Sequence, residues 1–352
     1  MGARIPDRGN RPSRAVAVAA FAAVLGFSLG AQAQSVRPPT ESGFSGFLTI
    51  LGGYANIKSQ FSTDGENRET SSLNSSGQTV DTYVVAPLFD LAYAVSDWRT
   101  QFYVGLPAEN IREGTFFQSE VGVRHWLADG TRLTAALLPW PVIASRTWQD
   151  PFVVDEGRKR TDVGAYGLKL EANQILGSRY GLRYQFVRRE IDQEDSGQFL
   201  RDGPDPALTG GDVDNLRRNA STHQGTASYL YPMTRSLFLR PALRYSYSDA
   251  SGGANSFQGL RPEIGAFYRT PEFDTSINLS YQRTWYNKDN PIYDEKRDSN
   301  DYSVVALFGY MSPFGLERWR ADAVAAVSYS DSEINFYDSR VLFVGLGATY
   351  TF

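Results

Sequence analysis

From about residue 43 onward, hydrophobic and polar residues alternate at every second position along most of the chain. The C-terminal stretch shows the pattern clearly, because Leu342, Val344 and Leu346 fall on one face with aromatic, small and polar residues between them. Successive side chains of a β-strand point to opposite faces, so a period of two predicts strands with one apolar face. The chain is therefore expected to be built almost entirely of β-structure.

Fourteen segments carry this alternation, and most exceed the roughly five or six residues usual in a soluble sheet. Tight turns such as 128–130 alternate with long polar connections such as 191–218, as periplasmic turns and extracellular loops do in outer-membrane barrels. We predict an all-β fold, a transmembrane antiparallel up-and-down β-barrel of about 14 strands, with about 12 as the alternative. The segments are 43–57, 79–95, 99–107, 114–128, 131–147, 160–175, 179–190, 219–231, 236–249, 255–270, 273–287, 299–312, 318–331 and 337–352.

The N-terminal region has the features of a secretory signal peptide. Four arginines precede an apolar stretch at 15–29, and Ala31 and Ala33 supply the small residues that a signal peptidase reads. We predict a cleaved signal at 1–33, a short periplasmic segment at 34–42 and a single barrel domain at 43–352, with both termini periplasmic. A membrane-anchoring helix is the alternative for the first segment.

Composition narrows the functional classes. The 35 basic and 39 acidic residues leave no basic excess for nucleic-acid binding, and the absence of cysteine excludes disulfides, thiol nucleophiles and cysteine-based metal sites. A mean hydropathy of -0.36 argues against a bundle of membrane-spanning helices. It is compatible with strands that turn half of their residues toward water.

Two short motifs carry a family resemblance. Gly347, Tyr350 and the terminal Phe352 resemble the C-terminal signal by which the bacterial assembly machinery recognises outer-membrane barrels. The stretch Ser42-Gly-Phe-Ser-Gly-Phe47 resembles the opening of an uncharacterised family of Gram-negative outer-membrane barrels, known mainly as a domain of unknown function. The resemblance implies the fold and an outer-membrane location, and it implies no reaction.

Alternation also predicts which charged side chains point into the barrel. Because about eight strands leave a filled interior and sixteen to eighteen an aqueous channel, a barrel of about fourteen is expected to have a water-filled lumen. The chain is therefore predicted to be a porin-like channel for passive diffusion of small polar or charged solutes, unless a loop such as 191–218 plugs it. Charges that only pair across strands are the alternative interpretation of the same residues. The candidate lumen-lining residues are Glu120, Arg124, Lys169, Glu171, Arg183, Arg240, Arg244, Arg261, Glu263 and Asp322.

Aromatic and basic residues near strand ends predict contacts with the membrane. The aromatic rings are expected to form two girdles at the water–lipid boundaries. The expected partners are outer-membrane lipid and lipopolysaccharide, whose phosphates would bind clusters such as 158–160, 188–189, 217–218 and 296–297, and the assembly machinery. The aromatic residues are Trp98, Trp126, Tyr180, Tyr231, Phe273, Tyr310, Trp319 and Phe352 near the tight turns, and Tyr54, Trp148, Phe186, Tyr247, Trp285, Tyr302 and Tyr329 near the long loops.

Other functional classes have weaker support in the sequence. An outer-membrane hydrolase is one alternative, but no carboxylate at an obvious spacing orients His223, and His125 is expected to lie in the aromatic girdle. Two distant histidines without cysteine make a poor ligand set, so no metal site is predicted, and no cofactor is expected. The acidic 191–218 loop raises calcium binding as an alternative, but EF-hand spacing is absent. A surface barrel with an adhesive or structural role and no transport is the remaining alternative.

Overall fold

The computed structural model describes residues 38–106, 119–139 and 145–352, and the predicted cleavage residues Ala31 and Ala33 lie outside them. The described residues contain sixteen strand segments, which all belong to one sheet. They are β1 Gly43–Lys58, β2 Thr79–Val95, β3 Thr100–Gly105, β4 Glu120–Trp126, β5 Arg132–Leu138, β6 Ser145–Trp148, β7 Arg160–Asn173, β8 Tyr180–Ile191, β9 Ala220–Tyr229, β10 Tyr231–Pro232, β11 Leu237–Ala250, β12 Phe257–Arg269, β13 Phe273–Tyr286, β14 Ser299–Met311, β15 Trp319–Ser332 and β16 Ser339–Thr351.

The sheet closes on itself. Each strand pairs antiparallel with its neighbours, β16 pairs with β1, and β9 pairs with β11 to complete the ring. Segments β5 and β6 both pair with β7 and form one interrupted barrel strand, and β9 and β10 do the same beside β11. The break after β5 coincides with Pro139, which has no N–H to donate to the ladder. The predicted closed antiparallel barrel of 14 strands is confirmed.

Connections of two kinds separate the two ends of the barrel. The turn end carries 96–99, 127–131, 174–179, 233–236, 270–272 and 312–318, and the loop end carries 59–78, 149–159, 192–219, 251–256, 287–298 and 333–338. Loop 192–219 holds two short helices, α1 Gln198–Asp202 and α2 Gly210–Asn215. Helix α2 starts there because the Thr209 hydroxyl accepts from the Asp212 N–H while the Asp212 carboxylate accepts from the Thr209 N–H.

The outer face of the barrel is apolar. Tyr83, Val85 and Leu346 are 74%, 63% and 72% exposed, and the register places them beside other outward-facing aliphatic and aromatic side chains. A closed barrel satisfies every strand's backbone groups, and an apolar belt around it suits hydrocarbon. The fold is therefore that of an outer-membrane barrel. Among the described residues, no helix has the length and apolar character needed to span a membrane.

Two of the aromatic residues assigned to the girdles lie elsewhere. Trp126 is 1% exposed and shares the inner face with Glu120 and Arg124, because it lies an even number of residues from both. Trp148 is fully buried, and its indole Nε1 donates to the Gln60 carbonyl at 2.9 Å. The girdle prediction is wrong for these two tryptophans. Rings such as those of Trp98 and Tyr180 are exposed at the turn end, as expected.

The main hydrophobic core lies inside the barrel on one side. It consists of inward-facing aliphatic and aromatic side chains from β14, β15, β16, β1 and β2, together with Leu106. The Phe343 ring lies across Gly53 and Gly345, where an added Cβ would approach ring carbons to 2.4 Å and 2.9 Å. Glycine is needed at these two positions because the ring occupies the side-chain space. We call this region the apolar half; its members are Leu51, Ala55, Ile57, Val84, Ala86, Leu88, Leu106, Val305, Leu307, Val324, Ala326, Val341 and Phe343.

Candidate functional site

The opposite side of the interior carries charged side chains, and we call the inner faces of β4, β7, β8, β11 and β12 the charged half. The register places every predicted lumen-lining residue except Asp322 on these strands, and Asp322 lies on the inner face of β15. The strands bring eight of these ten residues into three groups, and Arg240 and Asp322 lie apart from them. Their role in lining a solute path stays a prediction.

The first group joins β2, β3, β4 and β7. Arg124 Nη2 lies 2.7 Å from the Asp90 carboxylate, and its guanidinium stacks 3.7 Å from the centre of the Tyr103 ring. The Tyr103 hydroxyl donates to Glu120 at 2.8 Å, and Lys169 Nζ lies 2.5 Å from the same carboxylate. Each of these charges is nearly buried, so each needs its partner to offset the cost of leaving water.

The second and third groups each centre on one glutamate. Glu171 binds Arg183 at 2.9 Å and Arg132 at 3.3 Å, and so links β5, β7 and β8. On β11 and β12, Glu263 lies 3.5 Å from Arg261 and 4.0 Å from Arg244. Both guanidiniums of this third group thus share one carboxylate at the long end of the ion-pair range.

Arg240 has an aromatic neighbour, because its guanidinium lies 5.5 Å from the centre of the Phe267 ring. On the inner face of β15, Arg320 binds Asp322 at 2.7 Å and Asp274 of β13 at 3.5 Å. The Thr349 hydroxyl donates to Asp322 at 2.6 Å, which ties this pair to β16.

Several inner-face partners were missed from the sequence, namely Asp90, Tyr103, Arg132, Asp274 and Arg320. The signal that could have found them is the same alternation. Arg320 lies two residues from Asp322, and Arg132 lies two residues from the inward Thr134. Extending the inner-face pattern to the ends of the strands would have included Arg132, Asp274 and Arg320, and applying it within β2 and β3 would have included Asp90 and Tyr103.

The loop end is covered by an assembly of connections from opposite sides of the barrel. Leu208, Val213 and Leu216 of loop 192–219 share a buried apolar cluster with Phe152 and Phe336, and Phe61 packs against it. Loop 192–219 leaves the barrel nearly opposite loops 59–78 and 333–338 in the strand order. A shared core between them requires that the loops extend across the opening. We call this cluster, together with the loops that form it, the loop assembly. Its five loops are 59–78, 149–159, 192–219, 287–298, which contributes Ile292 and Tyr293, and 333–338.

Hydrogen bonds hold the loop assembly together. The Asp155 N–H donates to the Thr70 carbonyl and the Arg158 N–H to the Arg68 carbonyl, each at 2.9 Å. Arg158 is 2% exposed, stacks on Trp148, and donates to the Gln60 carbonyl at 3.0 Å and to the Asn67 carbonyl. Burial lowers the pKa of Arg158 to about 10, so it is still protonated at neutral pH.

Asp150 anchors loop 192–219 to loop 149–159. Its carboxylate accepts from the N–H groups of Gly197 at 3.0 Å and of Phe199 at 2.9 Å. Burial raises the pKa of Asp150, and these backbone donors oppose the rise. Loop 192–219 is thus tied into the loop assembly by its own backbone.

Some of the basic residues expected to face lipopolysaccharide have structural partners instead. Arg158 and Arg218 are 2% and 7% exposed, and Arg218 binds Glu194 at 3.0 Å. The Arg297 guanidinium stacks on Tyr286 and Tyr337 at 4.5 Å and 4.0 Å. For these three side chains the expectation of a free phosphate-binding surface is wrong. Arg160 and Arg188 do lie on the outer face near the loop end.

The two histidines each lie beside a hydroxyl group on the outer face of the barrel. His125 Nδ1 lies 2.9 Å from the Thr100 hydroxyl, and His223 Nδ1 lies 2.8 Å from the Tyr184 hydroxyl, both on the outer face. No group of three or more histidine, aspartate or glutamate side chains within 38–106, 119–139 and 145–352 is arranged to hold a metal ion. In loop 192–219, three carboxylates pair with neighbours in the same loop. Asp202 pairs with Arg201, Asp212 with Thr209, and Asp214 with Arg217.

The residues of the predicted assembly signal lie at the β1–β16 closure. The Phe352 N–H donates to the Gly46 carbonyl, and the Gly46 N–H to the Phe352 carbonyl, both at 3.1 Å. The Tyr350 ring packs against Trp319 and Phe352 on the outer face, and Gly347 pairs with Leu51. Recognition of these residues by the assembly machinery stays a prediction.

Comparison with known protein families gives a match over most of the chain. The model of a family described as "Protein of unknown function (DUF2860)" matches residues 43–351. The chain belongs to this family. The expected membership of an uncharacterised barrel family is thereby confirmed, and the match spans the whole DUF2860 barrel from β1 to β16. Comparison with curated proteins gives no match.

Solved structures with a similar architecture include three outer-membrane proteins. The toluene transporter TodX of Pseudomonas putida is 11% identical, with 96% of this chain and 98% of that chain covered and a TM-score of 0.47. The channel DcaP of Acinetobacter baumannii is 11% identical, with 89% and 97% covered and a TM-score of 0.45. An anion-selective porin from Comamonas acidovorans is 7% identical, with 89% and 100% covered and a TM-score of 0.41. No solute and no site residue of the DUF2860 barrel follows from these similarities.

Proposed function

We propose that the protein is an outer-membrane channel for passive diffusion of small polar or charged solutes, with the turn end facing the periplasm. The observation that carries this proposal is the division of the barrel interior. The apolar half is packed against itself, whereas the charged half presents guanidinium, carboxylate and amide groups on the inner faces of neighbouring strands. Water and small polar solutes follow such a surface, because it replaces part of their hydration.

The strand number supports a path through the interior. About eight strands enclose a space that side chains fill, and about sixteen leave an aqueous channel, so fourteen strands enclose an intermediate space. Because the apolar half takes up part of that space, the proposed path is narrow and runs along the charged half. Its conductance is expected to be smaller than that of a sixteen-stranded porin.

Planar-bilayer recording tests the proposal. Purified protein added to a bilayer in potassium chloride is expected to give discrete conductance steps. A barrel that is folded, as shown by its heat-modifiable migration in detergent gels, yet never conducts would contradict the channel. Lys169→Met is expected to change the step size, since it removes a charge from the path. The outer-face change Arg340→Gln serves as a control with the same loss of charge.

The loop assembly favours a second candidate, a surface barrel that displays its loops and transports nothing. It covers the loop end with a buried core from five connections. The two candidates are separated by deleting residues 198–215, which removes α1 and α2. A channel is expected to conduct more after this deletion, and a surface barrel is expected to stay silent.

Contact with lipopolysaccharide is a further part of the proposal. Lys58, Arg146, Arg160 and Arg188 lie on the outer face near the loop end, where lipid phosphates would be within reach. Co-purification of lipopolysaccharide with the wild type, reduced in a variant with all four changed to glutamine, is the expected result. Equal amounts with both proteins would contradict it.

A further inference from the structure

Three arginines occur in one cross-strand row on the charged half. Arg183 of β8 pairs with Thr226 of β9, Thr226 pairs with Arg244 of β11, and Arg244 pairs with Arg261 of β12. Directly opposed residues in an antiparallel sheet have Cβ atoms about 5 Å apart, and like charges at this spacing repel each other. The row therefore concentrates positive charge on one strip of the inner wall.

Carboxylates on this part of the wall do not balance the arginines. The described inner faces of β8, β9, β11 and β12 carry six arginines and one carboxylate, Glu263. Glu171 of β7 reaches Arg183, and Glu263 is shared by two guanidiniums at 3.5 Å and 4.0 Å. The six arginines are Arg183, Arg189, Arg240, Arg244, Arg261 and Arg269.

Elsewhere in the interior, the main charges form close pairs. Asp90 binds Arg124 at 2.7 Å, Glu120 binds Lys169 at 2.5 Å, and Asp322 binds Arg320 at 2.7 Å. The excess of positive charge is thus local to β8–β12. It is also permanent, because guanidinium does not lose its proton in the physiological pH range.

The position of Arg244 strengthens the local field. Its side chain is 3% exposed, and a buried charge is screened less by water than an exposed one. The neutral Thr226 lies between Arg183 and Arg244 in this row, on the same inner face. A small anion held beside Thr226 would have an arginine on the strand at either side.

We propose that the row Arg183–Thr226–Arg244–Arg261 is an anion subsite that binds small oxyanions, carboxylates or phosphates, on their way through the channel. The proposal rests on the proposed channel function and names its solute class. Guanidinium presents parallel N–H groups that match two oxygens of a carboxylate or phosphate. Chloride lacks that geometry, so the subsite is expected to prefer oxyanions to chloride.

Two measurements on the purified barrel test the subsite. In bilayers, the reversal potential across a gradient of potassium chloride, potassium acetate or potassium phosphate gives the anion preference. In detergent, the rise of the melting temperature with added phosphate or acetate reports binding without any need for conduction. The wild type is expected to prefer anions to potassium and to be stabilised by both oxyanions more than by chloride.

The variants are R244Q/R261Q, the charge-preserving R244K/R261K, and the outer-face control R340Q. We expect R244Q/R261Q to bind oxyanions roughly tenfold or more weakly, because charged hydrogen bonds are lost. We expect R244K/R261K to keep the preference for anions over potassium and to lose the preference for oxyanions over chloride. R340Q is expected to match the wild type, since Arg340 lies on the outer face.

The possible outcomes separate the channel from the subsite. If the wild type never conducts but oxyanion binding is lost in R244Q/R261Q, the channel fails and the subsite stands. If the wild type conducts and R244Q/R261Q binds oxyanions as well as the wild type, the subsite is overturned. Stabilisation by phosphate but not by acetate would restrict the solute class to phosphates, and the reverse would restrict it to carboxylates.

Discussion

Leu88 and Lys169 both point into the barrel and are both nearly buried, but on opposite halves of its interior. Leu88 packs among aliphatic side chains of β1, β2 and β14–β16, where burial of apolar surface is favourable without specific partners. Lys169 depends on a carboxylate 2.5 Å away. The outer face of every strand has to suit lipid. An inner face, in contrast, either packs against apolar side chains or pairs its charges. The apolar cluster packs by shape, whereas the inward charges, including Asp90 on β2 and Asp322 on β15, are held by charge pairing.

The strongest way to break this division is to put a charge in the apolar half. Leu88→Glu would bury a carboxylate among aliphatic side chains and two residues from the inward carboxylate of Asp90, so we expect the barrel to fold poorly or not at all. Ser228→Glu is the matched control, since Arg183, Arg240 and Arg244 are its diagonal neighbours on the adjacent strands. Heat-modifiable migration in detergent gels checks both variants. Equal folding yields would show that the two halves do not differ as described.

Removing the central ring of the apolar half is expected to have a large effect on stability. Phe343→Ala leaves a cavity over Gly53 and Gly345 and should lower the free energy of unfolding by about 3–5 kcal/mol. Leu342→Ala, one residue away on the outer face, should cost less, because it faces lipid and leaves no internal cavity. Urea unfolding in lipid vesicles measures both. A cost for Leu342→Ala as large as that for Phe343→Ala would argue against a packed interior.

In the charged half, removing one partner of an ion pair is expected to lower the free energy of unfolding. Lys169→Met leaves Glu120 without its closest cation and should cost about 3–5 kcal/mol. Because the cost comes from the remaining carboxylate, Glu120→Gln combined with Lys169→Met should regain most of it. Urea unfolding of the single and double variants gives the coupling energy. If the double change costs the sum of the single changes, Glu120 and Lys169 do not depend on each other.

The loop assembly allows a finer test with a smaller effect on the fold. The chain has no cysteine, so Thr70→Cys with Asp155→Cys introduces the only thiols, at two loops joined by a backbone hydrogen bond of 2.9 Å. We expect the disulfide to lower the bilayer conductance by holding the loops over the opening, and a reductant to restore it. The single-cysteine variants serve as controls. Conductance that ignores the reductant, despite a disulfide formed in the protein, would mean that the loops do not restrict the path.

The sequence predicts the strands well because alternation is a local property. The longer segments show their lipid-facing side in their own residues, and tight turns separate them at Asp129-Gly130 and similar sites. The inner-face charges follow from the same counting. Trp126 shows where the prediction was wrong: its place near a turn suggested a girdle, although its position two residues after Arg124 assigns it to the interior.

By itself, the sequence determined which residues form strands, which face of each strand meets lipid and which charges point inward, since these depend only on neighbouring residues. Only the tertiary structure decided which charges meet, because Arg124–Asp90 and Lys169–Glu120 depend on the register between strands distant along the chain. It also decided that Leu216 and Phe336 share a core above the barrel. Closure of the sheet sets these contacts, and no local pattern records where a closed sheet brings its strands and loops together.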